Sequence, residues 1–161
     1  MRMFLLGAPC AGKTTLVSRL RESLSCPVLE MDEELVRVNG GTWPALEVKR
    51  ALSSQVLDEA SRLNHVVLAH SRLDDGQLRS LRATGWVIGL LDLPESVMRS
   101  RAEERQLREG WSNVEWLPEH LRNIEHLRAG QVFSHVFDAT LPTTTLALTL
   151  AEIMSGGSER G

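Results

Sequence analysis

Lysine is almost missing from this chain. Its 161 residues hold two, Lys13 and Lys49, although Lys and Arg together number 18. Against 21 Asp and Glu the formal net charge is −3, so no extended basic surface is available for non-specific nucleic-acid binding. Cysteine is as scarce. Cys10 and Cys26 make no disulfide framework and neither stands at metal-ligand spacing from a histidine, so both read as small packing residues in a reducing compartment. Long apolar runs are lacking too: nothing approaches the ~18 residues of a membrane-spanning helix, which argues against a membrane partner. The opening MRMFLLGAPCAGK imitates a signal peptide, but Gly7, Pro9 and Lys13 break its apolar run too early. It reads as a buried strand of a cytoplasmic protein. There is no internal repeat and no Gly/Pro/Ser-rich linker, so residues 1–155 are expected to form one domain and 156–161 a flexible tail.

What is present is patterned. Hydrophobic residues make up 42% and charged residues 24%, the balance of a globular chain with a core. Short apolar runs alternate with longer amphipathic segments, as in a parallel sheet wrapped by helices. Strands are expected at Arg2–Gly7, Pro27–Met31, His65–His70, Trp86–Asp92 and Val132–Asp138. Helices are expected at Lys13–Leu24, Pro44–Leu63, Asp75–Ala83, Pro94–Arg108, Leu117–Ala129 and Leu141–Met154. Within Pro44–Leu63 the residues Leu46, Leu52, Val56, Leu57 and Ala60 form one apolar stripe. The segment GWSNVEW, residues 110 to 116, reads as a mobile connection.

One stretch carries chemistry. GAPCAGKT, Gly7 to Thr14, matches G-x-x-x-x-G-K-[ST] in full, between a strand-like MFLL and a helix-like TTLVSRLRESL. Gly7 and Gly12 let the backbone curl so that successive N–H groups face an anion. The start of the following helix adds its positive end. Lys13 is placed for the β- and γ-phosphates and the Thr14 hydroxyl for Mg²⁺, while Ala8, Pro9, Cys10, Ala11 and Thr15 supply backbone and shape. The reading is a nucleoside-triphosphate site for ATP with Mg²⁺.

The receiver of a phosphoryl group is sought at the carboxyl ends of the other strands. PVLEMDEEL places Asp32 at the end of the second strand, where a carboxylate would take or orient an acceptor hydroxyl's proton and hold a Mg²⁺-bound water; the rival reading is a helix cap. In MRSRAEERQLREG, Arg101 and Arg105 share a helical face that would neutralise charge during transfer, against a solvated face laced with Glu–Arg pairs. Arg72, and more weakly Arg37, are acceptor-binding candidates. Asp74 and Asp75 read as a helix cap. Trp43, Trp86, Trp111 and Trp116 read as packing residues, with the alternative that Trp111 or Trp116, which flank the connection, lines an acceptor pocket. His120 and His126, six apart, do not share a helical face for a metal.

The chain resembles the small P-loop kinases, the group of shikimate, gluconate and adenylate kinases and chloramphenicol phosphotransferase. The resemblance rests on GAPCAGKTT, the Asp32 position, RSRAEER and VFDAT. It implies a three-layer αβα P-loop fold, a five-stranded parallel sheet in the order 2-3-1-4-5, and a short lid near residues 104–114. It also implies that Arg101 lies near the adenine, Arg105 on the phosphates, and the loop from Asp138 to Pro142 beside the base. One departure stands out: the third strand ends HVVLAHSRLDD without the aspartate frequent there, so His70, Ser71 or Arg72 takes its place and support for Mg²⁺ falls to Asp32. The function expected is transfer of the ATP γ-phosphoryl group to a small-molecule acceptor, a nucleoside or nucleotide, a sugar acid or an antibiotic-like hydroxyl. The alternative is a P-loop NTPase acting as a nucleotide-dependent switch. No oligomeric state is implied.

Overall fold

The computed structural model describes residues 1–112 and 114–156; Asn113 of the connection and the tail beyond Gly156 lie outside the described residues. Five strands, β1 (Arg2–Gly7), β2 (Val28–Glu30), β3 (Val66–His70), β4 (Val87–Asp92) and β5 (His135–Asp138), form one parallel sheet in the order β2-β3-β1-β4-β5. The seven helices among the described residues are α1 (Lys13–Ser23), α2 (Met31–Val38), α3 (Leu46–Ser61), α4 (Asp75–Ala83), α5 (Glu95–Glu109), α6 (Leu117–Ala129) and α7 (Thr143–Gly156). A 3₁₀ turn, Val114–Trp116, leads into α6. The three-layer arrangement and the strand order agree with the sequence expectation.

The sheet is central because its middle strands are apolar on both faces. Met3–Leu6 of β1 and Val66–Ala69 of β3 are fully buried. Their register, Phe4 beside Leu68 and Ile88, aligns the strands so that β1, β3 and β4 end together. Leu16, Val17 and Leu20 of α1 face inward, and α1 packs against α7, whose Leu146, Ala147, Leu150 and Met154 make the matching stripe. Asp74 does cap α4: its Oδ1 accepts from the Gln77 amide at 2.8 Å, and Gln77 Oε1 accepts from the Asp74 amide at 3.1 Å.

Many element ends move by one to three residues from the sequence reading, and three of the shifts have a clear physical cause. The second strand ends at Glu30, and Met31 already opens α2, whose first turn holds Asp32, Glu33 and Glu34. Three carboxylates suit the positive end of a helix better than a strand end. Helix α3 begins at Leu46, not Pro44, because Ala45 is extended; Leu46 stands 84% exposed, outside the stripe it was expected to join. The last strand starts at His135, not Val132. The Val132 amide bonds back to the Leu127 carbonyl at 3.1 Å, so residues 130–132 close α6.

Close packing across β4 is felt at one glycine. A Cβ on Gly89 would stand 3.0 Å from Phe137 Cε2 and 3.5 Å from Leu5 Cδ1. Gly89→Ala is therefore expected to destabilise the fold by about 1–3 kcal/mol through overpacking, seen as a lowered thermal midpoint. An unchanged midpoint would mean that Phe137 turns aside freely.

Candidate active site

The loop between β1 and α1 bends through two left-handed residues, Cys10 at φ 67° and Gly12 at φ 90°. Gly7 has a different constraint: a Cβ there would lie 3.2 Å from Leu91 Cβ and 3.2 Å from Lys13 Cγ. Gly12 stands at the N-cap of α1 and provides no side-chain cap, so the amides of the first turn keep no side-chain acceptor. Such a terminus favours an anion. Lys13 curls back over the loop, its Nζ donating to the carbonyls of Gly7 at 2.6 Å and Ala8 at 2.9 Å. Burial draws its pKa down to about 8; Glu30 and Asp32 oppose the shift and Arg105 adds to it.

That depressed pKa sets a pH dependence. Free Lys13 loses its proton as pH rises through about 8, whereas beside a polyphosphate the ammonium form is favoured. Above that pH, binding must take up a proton. Affinity for ATP is therefore expected to fall about tenfold between pH 7 and pH 9 in calorimetric titrations. Lys13→Arg should flatten the dependence, since a guanidinium stays charged throughout.

Around the loop lies a cleft of about 430 Å³, lined by Pro9, Cys10, Gly12, Lys13, Thr14, Thr15, Glu30, Asp32, His70, Arg105 and Trp111 among others. The Thr14 hydroxyl donates to Glu30 Oε1 at 2.7 Å. This places a hydroxyl and a carboxylate together beside the lysine, two hard oxygen donors of the kind Mg²⁺ takes. Arg105 lies over the Trp111 ring, 5.3 Å from its centroid, at the same cleft. Arg101 sits lower, donating to the Cys10 carbonyl at 3.2 Å.

A second cleft of about 820 Å³ adjoins the first through Pro9, Asp32, His70 and Ser71, which belong to both. Its remaining walls come from Trp43 and from Leu46, Lys49, Arg50 and Ser53 of α3, from Arg72 and Asp74 after β3, and from Trp116, Glu119 and His120. The Lys49 ammonium rests 4.7 Å from the centre of the Trp43 ring. Arg72 is ion-paired with Glu119. His70 ends β3 where the two clefts meet. Burial, and then the charges of Lys13, Lys49, His120 and Arg72, push its pKa to about 3, so the imidazole is neutral at physiological pH. A further cavity of about 510 Å³, lined by Leu24, Cys26, Pro27, His65 and Met154, lies at the opposite ends of the strands, away from the loop.

Most of the sequence candidates converge here: the loop from Gly7 to Thr15, Asp32, Arg72, Arg101 and Arg105. Two do not. The Arg37 guanidinium bonds Glu34 and Glu59, each at 2.6 Å, and lines neither cleft. Asp138 closes the turn after β5, its Oδ1 accepting from the Thr140 amide at 2.9 Å and hydroxyl at 2.6 Å. The tryptophans divide. Trp86 is a packing residue, buried with its indole N–H on Ser61 Oγ, but Trp43, Trp111 and Trp116 are more than half exposed and stand in the cleft walls. The expectation of packing is corrected for those three. Glu30, Lys49, Arg50 and His120 were not read as site residues at all; for Glu30 the available signal was its place two residues before Asp32 at a strand end.

No protein-family model matches the chain. The curated shikimate kinase of Aquifex aeolicus is 28% identical over 117 residues, 67% of this chain and 69% of the relative. An adenylate kinase of Mycolicibacterium vanbaalenii is 34% identical over 110 residues, 67% of this chain but 56% of that protein's length. The crystal structure of the Aquifex shikimate kinase superposes with a TM-score of 0.70 at 21% identity, covering 100% of both chains. The fold and the loop define a P-loop protein of three αβα layers. Within that class the chain is similar in sequence to small P-loop kinases, shikimate and adenylate kinases among them.

Proposed function

We propose that this chain is an ATP- and Mg²⁺-dependent kinase that moves the γ-phosphoryl group to a hydroxyl of a small molecule held in the second cleft. The observation that carries the reading is the junction of the two clefts: a phosphate loop with its lysine opens, past Asp32 and His70, into a larger pocket with polar and aromatic walls. The loop amides and Lys13 bind the triphosphate, and Arg105 neutralises charge that develops on the group in transit. Arg101, bonded to the Cys10 carbonyl, would border the nucleotide base, as would the turn at Asp138, although neither residue lines the two clefts. Asp32 orients the acceptor hydroxyl and receives its proton. Thr14 and Glu30 would hold Mg²⁺, with Asp32 contributing through a water, and the ion would supply charge neutralisation of the phosphate oxygens. Residues 104–114, with Trp111 against Arg105, act as a short lid that excludes water.

The acceptor classes that suit the second cleft are nucleosides or nucleotides, sugar acids and hydroxylated antibiotics, since fold alone does not set substrate. The test is ADP release from ATP with a panel of shikimate, D-gluconate, nucleosides, nucleoside monophosphates and hydroxylated antibiotics, each against a blank without acceptor. Release stimulated by a hydroxyl compound supports the kinase. Release that no compound stimulates supports the switch reading and overturns this one.

A further inference from the structure

We infer that His120 is a specificity residue of the second cleft, its Nε2 accepting a hydrogen bond from a second donor group of the phosphoryl acceptor, which is therefore a diol or an amino alcohol. The inference rests on the kinase reading and adds to it a residue and a chemical class.

The argument starts from a proton. His120 Nδ1 lies 2.9 Å from the Ser71 backbone carbonyl. A carbonyl oxygen only accepts, so Nδ1 carries the hydrogen and the neutral ring's lone pair is on Nε2. The ring is half-buried, and burial lowers its pKa. Lys13 and Arg72 press the same way, while the Ser71 carbonyl and Glu119 oppose them. Among the described residues no hydrogen bond of the chain occupies Nε2.

The cleft's remaining inventory makes that lone pair stand out. Lys49, Arg50 and Arg72 offer only donors, as do the indoles of Trp43 and Trp116. Of the carboxylates, Asp74 is held by the Gln77 amide and Glu119 by Arg72. Asp32 is the carboxylate left for the reacting hydroxyl. His120, beside His70 and the Ser53 and Ser71 hydroxyls, adds a neutral acceptor whose tautomer the Ser71 carbonyl fixes, placed for a neighbouring O–H or N–H. A half-buried acceptor that a bound ligand closes off from water and leaves without a partner penalises ligands that lack the matching donor. An acceptor molecule deprived of its second group is therefore discriminated against.

Two substitutions separate this role from a structural one. His120→Asn keeps an amide N–H near the Nδ1 position for the Ser71 carbonyl but offers nothing at Nε2. His120→Gln reaches the Nε2 position with a carbonyl oxygen. Using the panel compound with the largest ADP release, His120→Asn is expected to raise the acceptor KM about tenfold, leave the KM for ATP unchanged and erase the preference for the diol over its deoxy analogue. His120→Gln should keep that preference. Thermal midpoints of both variants exclude unfolding, and a two-bond ¹H–¹⁵N spectrum should show the Nδ1–H tautomer. The inference is overturned by a wild-type-like His120→Asn, by equal impairment of both variants, or by an Nε2–H tautomer. Those outcomes leave acceptor-stimulated ADP release intact in the wild type, whereas failure of the kinase reading removes that release altogether.

Discussion

Replacing Lys13 by methionine is expected to lower acceptor-dependent ADP formation about a thousandfold and to leave the chain folded. The large effect follows from where the ammonium sits. Nζ is held on the Gly7 and Ala8 carbonyls at the rim of the loop, with the loop amides and Arg105 about the same cleft. A polyphosphate in that cup gains a cation already in position, and one that acts on the charge of the transferring group costs nothing to organise at the moment of reaction. The fold should tolerate the change because methionine keeps the stem's bulk. Its stability consequence can be signed as well. Folding lowers the Lys13 pKa to about 8, so from there up to the ordinary lysine pKa the unfolded chain binds more protons and stability climbs with pH. Below pH 8 the whole cost of burying the ammonium is present, offset by two hydrogen bonds, and methionine removes both. A coupled ADP assay with a thermal melt checks the pair of claims. Folded Lys13→Met protein with activity within tenfold of wild type would remove Lys13 from the mechanism.

The parts of the site that were legible in the sequence are those whose information is local. Gly7, Gly12, Lys13 and Thr14 are constrained by one tight turn, and a turn of that kind is written in consecutive residues. The sheet's layout was legible for a related reason: strands buried on both faces must be continuous apolar runs, and MFLL and VVLA are. The second cleft as a whole was not legible, because apart from Arg72 its walls are assembled from segments as far apart as Trp43, Lys49 and His120, each unremarkable where it stands. Indoles usually pack, which is why packing was the favoured reading of Trp43, Trp111 and Trp116; only the tertiary arrangement leaves them in open walls. Arg37 failed in the opposite direction. It follows Asp32 in sequence, but its guanidinium pairs with Glu34 and Glu59 and lines neither cleft.

The start of α2 sets Glu30 at the end of β2 and Asp32 in the helix's first turn, and their substitutions should diverge. Glu30→Gln is expected to raise the Mg²⁺ concentration needed for half-maximal rate about 10- to 100-fold, because the amide keeps a partner for the Thr14 hydroxyl but loses the charge facing the cation. With saturating Mg²⁺ most of the rate should return. Asp32→Asn should behave otherwise. Its carboxylate belongs to both clefts, and as the group that receives the acceptor's proton its loss lowers kcat about 100-fold or more at every Mg²⁺ concentration. Titrating Mg²⁺ against ADP release in the two variants therefore gives a curve that is mainly shifted for Glu30→Gln and mainly scaled for Asp32→Asn, whose support of the metal through a water adds only a small shift. Identical curves would place both carboxylates in one role. A shift for Asp32→Asn with none for Glu30→Gln would return the metal to Asp32, leaving Glu30 as a partner that only fixes the Thr14 rotamer.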